Sequence, residues 1–195
     1  MATEGGRLIL LLASRDVQTA KQLAEASTLS LAETTRQLER LTTQGFIIAS
    51  SANGEPLVYR LSPKELAADA PEPLQRVLVL DDDADILEVV VTVLEDEGYG
   101  VLAAATPSDG VALLQHATFD VVITDGFSRV PSAVLTNAAE VLQAAGTTPV
   151  ALFSAHPIDL AAAQAAGFRA LIQKPCDIDE LLAVIKDSGL PLGAQ

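Results

Sequence analysis

The chain has one cysteine, Cys176, among 195 residues. No intrachain disulfide can form, and the chain suits a reducing compartment. Tryptophan is absent and aromatics make up 4%, so the core has to be aliphatic, drawn from Val, Leu, Ile and Ala. With 49% apolar residues there is enough material for one. No apolar run approaches the ~20 residues that span a bilayer. The stretch "LILLLA" is too short for a signal core, and "MATEGG" before it carries an acid where a secretion signal needs a basic region. These absences lead to the expectation of a cytoplasmic protein with no membrane partner.

Basic residues are also few, 12 Lys/Arg against 26 Asp/Glu, for a net charge of −14. The deficit is uneven. Residues 1–70 hold seven basic and eight acidic residues, and residues 71–195 hold five and eighteen. Halves so different suggest two domains with different tasks. "DAPEPLQR" lies at the break, and its prolines resist helix and sheet alike. The expected division is a first domain over 1–70, a linker over 71–75 and a second domain over 76–195.

From Arg76 the pattern is regular. "RVLVL", "YGVLAAA", "FDVVITD", "TPVALFSA" and "RALIQ" read as strands. Between and after them "ADILEVVVTVLEDEG", "TPSDGVALLQHA", "PSAVLTNAAEVLQAAG", "DLAAAQAAG" and "DIDELLAVIKDSG" have helical spacing. Five strands alternating with five helices predict an α/β fold, a doubly wound (βα)5 domain with a parallel sheet.

In such sheets chemistry lies beyond the carboxyl ends of the strands. The first strand delivers Asp81, Asp82 and Asp83, the third Asp125, the fourth Ser154 and the fifth Lys174. Clustered carboxylates repel, and a hard divalent cation offsets that repulsion. Mg²⁺ typically takes one or two carboxylates plus a phosphate and keeps several waters.

The ordered set "DDD", "VVITD", "FSAH" and "QKP" resembles the receiver domain of two-component response regulators over residues 76–188. The resemblance implies a phosphoacceptor signalling protein rather than an enzyme, one that assists its own phosphotransfer and dephosphorylation. It implies Asp125 as the phosphoacceptor, with Ser154 and Lys174 contacting the phosphoryl group. It implies Mg²⁺ held by Asp81, Asp82, Asp125 and the Phe127 carbonyl, with Asp82 the more direct ligand of the acidic pair. It further implies a cis Lys174–Pro175 bond and a histidine kinase or phosphotransfer protein as donor. Leu171 stands where the family usually has an aromatic switch residue, and "GFSRVPSAV" replaces its usual proline-glycine loop. Phe127 and His156 fall two residues past Asp125 and Ser154, where the family sets the lifetime of the phosphoryl group. His116 reads as helix surface and Cys176 as an inert thiol. A rival remains: "VLVLDDDAD" also resembles the opening of haloacid-dehalogenase-type phosphohydrolases, in which Asp81 would be the nucleophile.

In the first half "RLILLLAS" is helical. "TAKQLAEAS" carries a capping-box pair, Thr19 and Gln22, and "SLAETTRQLERLTTQG" a second, Ser30 and Glu33, ending on Gly45. Leu31, Thr35, Leu38 and Leu41 (or Thr42) are expected to line its inner face. "FIIASSANGEPLVYRL" predicts a hairpin turning at Asn53-Gly54, and Ser62, Pro63 and Glu65 open a short helix. The set resembles a smaller α+β winged helix-turn-helix domain. That implies DNA as a partner, read by residues 31–44 through Arg36, Gln37 and Arg40, with Arg60 at the backbone, and a homodimer to double the contacts. The output-like domain precedes the receiver-like one, the reverse of the usual family order. The near-neutral balance of this half offers few phosphate contacts. The alternative is a signalling adaptor whose two domains both bind protein.

Overall fold

The computed structural model describes residues 3–15, 17–51, 55–62 and 75–188. The linker at 71–74, the short helix beginning at Pro63 and the Asn53-Gly54 turn lie outside the described residues.

The C-terminal unit holds β4 (Arg76–Leu80), α4 (Ala84–Asp96), β5 (Gly100–Ala104), α5 (Pro107–His116) and β6 (Val121–Asp125). After them come α6 (Val134–Ala145), β7 (Val150–Ser154), α7 (Leu160–Ala166), β8 (Ala170–Gln173) and α8 (Ile178–Ser188). All four strand pairings are parallel, in the order β5-β4-β6-β7-β8. The two-residue period of a strand splits each run between two cores. Val77 and Val79, Val121 and Ile123, Ala151 and Phe153 face α4 and α8. Leu78 and Leu80, Val122, Val150 and Leu152 face the opposite way, toward the core of α5, α6 and α7. The order reverses beside β4, so the carboxyl ends of β4 and β6 flank the crevice where such sheets hold ligands. The helix expected from Pro131 begins as a single 3₁₀ turn, Pro131–Ala133, and becomes α-helical at Val134.

The N-terminal unit holds α1 (Glu4–Ala13), β1 (Gln18–Thr19), α2 (Ala20–Ser27), α3 (Leu31–Thr43), β2 (Ile47–Ser50) and β3 (Val58–Leu61). The Thr19–Gln22 capping box closes in both directions. At α3 only half of the expected box forms. Ser30 accepts from the Glu33 amide, while the Glu33 carboxylate turns to Arg36 and Gln37. The buried face of α3 is Thr34, Leu38 and Leu41, and Leu31 is exposed. Leu38 and Leu41 were expected there, but Thr34 takes the place expected of Thr35, because a helix with threonine on several faces reads ambiguously. Gly45, at φ +74°, ends α3: the Phe46 amide reaches back to the Leu41 carbonyl, a closure that glycine adopts without Cβ strain.

The two strands expected on either side of Asn53-Gly54 are present: β2 and β3 pair antiparallel, with Ser50 opposite Val58. The chain before α2 adds β1 to the sheet, antiparallel to β3.

The two units share one core. Leu8, Ile9, Leu12, Leu38, Leu41 and Phe46 join the cluster that holds Leu78, Leu102 and Leu113. Thr3 donates both its amide and its hydroxyl to the Ala103 carbonyl of edge strand β5, at 3.1 and 3.0 Å. Arg76 is buried. Its guanidinium donates to the Gly45 carbonyl at 2.6 Å and to Thr118 at 3.0 Å, and lies over the Phe46 ring. A buried cation is tolerable here because it meets the carbonyl end of α3, where the helix dipole favours positive charge.

Helix α5 packs against β4 through a close approach at Gly110, where a Cβ would overlap the side chain of fully buried Leu80. Gly110→Ala is expected to cost about 1–3 kcal/mol through overpacking, measured by urea denaturation.

Candidate active site

The three successive aspartates have three different surroundings. Asp81 is 1% exposed; one carboxylate oxygen accepts the Asp83 amide at 3.0 Å and the other accepts Lys174 Nζ at 2.5 Å. Asp83 caps α4, accepting the amides of Asp85 and Ile86. Asp82 is exposed and lines a cavity of about 500 Å³ together with Asp125, Phe127, Arg129, His156 and Lys174.

Lys174 is the junction. Beyond Asp81, its ammonium donates to Asp125 Oδ1 at 2.8 Å and lies 4.6 Å from the centroid of the Phe153 ring. Burial pushes the Lys174 pKa down, but the hydrogen bonds to Asp125 and Asp81 outweigh it and the net shift is upward. Burial drives the Asp81 carboxyl upward, and Lys174 only partly restores it. The Lys174–Pro175 peptide bond is cis, as the resemblance implied.

The loop after Asp125 is held at three points. Phe127, at φ +45°, donates its amide to Asp125 Oδ2 at 2.5 Å and accepts at its carbonyl from Asn137 Nδ2 at 2.8 Å. His156 Nε2 lies 3.0 Å from the Ser128 carbonyl.

The expected residues fall as follows. Asp81, Asp82, Asp125, Phe127 and Lys174 meet around the cavity. Ser154 does not line it, though Ala155 and His156 do: Ser154 is buried, and its Oγ accepts the His156 amide at 3.0 Å. The expected outward reading face of α3 is only partly present. Arg36 is exposed and ion-paired to Glu33, Gln37 donates to Glu4 and Glu33, and Arg40 is part-buried. Arg40 pairs with Glu95 at the end of α4, which also accepts from Gln44 at 2.9 Å. An acidic neighbour in the fold captured it, and no local pattern announced that. Arg60 is exposed on β3. Burial, with help from Glu180 and Asp177, raises the Cys176 pKa, in keeping with an inert thiol.

Two residues escaped sequence reasoning. Glu95 looked like one surface acid among many. Asn137 had a faint signal: asparagine is a poor helix former on an exposed helical face, where something other than the helix must favour it.

Four carboxylates (Asp81, Asp82, Asp83 and Asp125) share the cavity wall with two cations, Lys174 and Arg129. Among the described residues no group of three or more His, Cys, Asp or Glu side chains forms a ready metal cage. A cation that keeps most of its water does not need one. Asp82 and Asp125, both oxygen donors on one wall, fit Mg²⁺ chemistry.

Residues 77–186 match the response regulator receiver domain. The chain belongs to that family. The receiver is 30% identical over 111 residues to the uncharacterized transcriptional regulatory protein YcbL of Bacillus subtilis, covering 56% of this chain and 48% of that one. It is 33% identical over 107 residues to the alginate biosynthesis transcriptional regulatory protein AlgB of Pseudomonas aeruginosa, covering 54% and 24%. The chain therefore spans about half the length, or less, of these curated relatives. Among solved structures, a CheY-like receiver domain protein from Methanospirillum hungatei superposes with a TM-score of 0.52 at 27% identity, over 60% of this chain and 94% of that one. The N-terminal unit lies outside the family match. No helix among the described residues is long and apolar enough to cross a membrane.

Lys174 and Asp81 give a testable pH dependence. Lys174→Met strands a buried carboxylate and is expected to cost about 3–5 kcal/mol at neutral pH. Asp81 is already raised above its unfolded value, so its contribution to stability falls as pH rises through the folded pKa and is fullest in acid. The penalty should therefore shrink as pH drops into the carboxylate range. Lys174 is raised too, so its own contribution is complete at neutral pH and fades only in strong alkali. Urea midpoints of both proteins across pH check the trend.

Proposed function

We propose that the chain is a two-component response regulator that accepts a phosphoryl group on Asp125 and passes the signal to its N-terminal unit. One observation carries this reading: Lys174 Nζ, 2.8 Å from Asp125 Oδ1, is already placed to meet a phosphoryl oxygen on that carboxylate.

Asp125 attacks the phosphorus of a phosphohistidine on a sensor kinase or phosphotransfer protein. The O–P bond forms, the P–N bond breaks, and the imidazole leaves after taking a proton. Lys174 faces the charge that spreads over the transferred oxygens. Asp82, Asp125 and the Phe127 carbonyl would hold a divalent cation, which when bound neutralises part of that charge. Asp81 holds the ammonium from its other side. The Phe127 ring shields the acyl phosphate from water. Ser154 swings from the His156 amide to donate its hydroxyl to a phosphoryl oxygen, and the loop after β7 follows. Arrival of about −1.5 to −2 charge then biases an existing two-state surface rather than making a new fold.

For the output, the reading is a winged-helix unit over 1–70 that binds DNA as a homodimer, with α3 in the major groove and Arg60 near the backbone. The transcriptional regulators among the relatives support it. Arg40, tied to Glu95, would be released when the receiver shifts. That same pairing, with Gln37 also occupied, favours a second reading, an adaptor in which both units bind protein.

A small phosphodonor such as acetyl phosphate with Mg²⁺ is expected to add one phosphoryl group, located on Asp125 by peptide mapping and absent from Asp125→Asn. A phosphoryl group on Asp81 instead would favour the phosphohydrolase reading. In gel shifts against genomic fragments, beryllofluoride or Glu95→Ala should strengthen a salt-sensitive complex. No shift in any state would favour the adaptor.

A further inference from the structure

Asn137 lies on the first turn of α6, exposed, at a position where nothing in the helix favours it. Asparagine is less favourable than alanine in a helix interior. Its side chain leaves the helix surface and donates to the Phe127 carbonyl at 2.8 Å. Phe127 is in turn the one described non-glycine residue of the C-terminal unit with positive φ. Left-handed backbone is strained for a bulky residue and persists only where its surroundings over-determine it. Here both polar groups of the residue are engaged: the amide by Asp125 Oδ2, the carbonyl by Asn137. The next carbonyl, that of Ser128, is held separately by His156. Removing the Asn137 amide therefore frees one carbonyl without releasing the whole loop.

We propose that Asn137 is a positioning residue of the Asp125 cavity, which Phe127 lines with Asp82 and Asp125, holding the Phe127 carbonyl as an oxygen donor for a divalent cation. The proposal rests on the reading of that cavity as a cation site. A carbonyl has two lone pairs, so it accepts from Asn137 with one and keeps the other for the cation. Groups that orient a metal's ligands from behind typically contribute 10–100-fold in affinity. Asn137 acts on the cation only through Phe127 and touches no reacting atom.

The test is calorimetric titration of the full chain with MgCl₂, for wild type, Asn137→Ala and the near-isosteric Asn137→Leu, with Asp82→Asn as a control for the site. Thermal midpoints in EDTA accompany each titration. Both Asn137 variants are expected to melt at or above the wild-type temperature without metal, because each improves helix propensity. Both are expected to bind Mg²⁺ about 10-fold more weakly. Wild-type affinity in both Asn137 variants, with Asp82→Asn weakened, would overturn the role of Asn137 and leave the cation site standing. A drop of several degrees in the metal-free midpoint with unchanged affinity would make Asn137 a structural residue and also overturn it. No uptake by the wild-type chain would overturn the cation site and this proposal together.

Discussion

The ammonium of Lys174 sits between two carboxylates delivered by two other strands, Asp81 from β4 and Asp125 from β6. A buried charge without partners costs several kcal/mol, so once this lysine is inside, the ends of β4, β6 and β8 have little freedom to move apart. The rest of the site follows from that constraint. Asp81 is consumed as a structural counter-ion. Asp83 is consumed as a helix cap. Of the three, Asp82 is the one left to the cavity, beside a carboxylate whose second oxygen is held by the Phe127 amide. A run of three aspartates that looks redundant in sequence is thus divided into three non-interchangeable tasks.

Much of this was legible in the chain itself. The five β-strands of the receiver read as short apolar runs suited to a sheet buried on both faces, and each is followed by a helix-spaced segment. Strand ends carrying Asp81, Asp125 and Lys174 then had to converge, because a parallel sheet places all its carboxyl ends on one rim. Ser154 was only half legible: its strand position was right, but its burial depends on the loop beyond it. The N-terminal unit was harder. The threonine-rich α3 supports more than one apolar stripe: Leu38 and Leu41 were read correctly, but Thr35 was read in place of Thr34, and Leu31 is exposed. The Asn53-Gly54 signal did announce a hairpin, and β2 and β3 pair antiparallel on either side of it. Arg40–Glu95 joins residues 55 positions apart, and such a pair has no local signature at all.

The shared core changes how the two halves relate. Residues 1–70 and 76–195 differ sharply in charge, which suggested independence, yet Leu8, Leu41 and Phe46 pack into the same cluster as Leu78 and Leu102. Arg76, at the opening of β4, binds the end of α3, and α1 covers the β5 edge through Thr3. The acidic excess of the receiver is therefore not merely solvated surface. Part of it, at Glu95, faces the few basic groups the N-terminal unit has. Any signal that moves the receiver must work against this packing.

The central claim is that Lys174 serves two masters, holding Asp81 at rest and stabilising charge added to Asp125 when the receiver is activated. A crystal structure of the full chain with Mg²⁺ and beryllofluoride tests it most directly. The account predicts the adduct on Asp125, with Lys174 Nζ within hydrogen-bond distance of a fluorine. An adduct on Asp81, or an adduct on Asp125 that Lys174 does not touch, would contradict it.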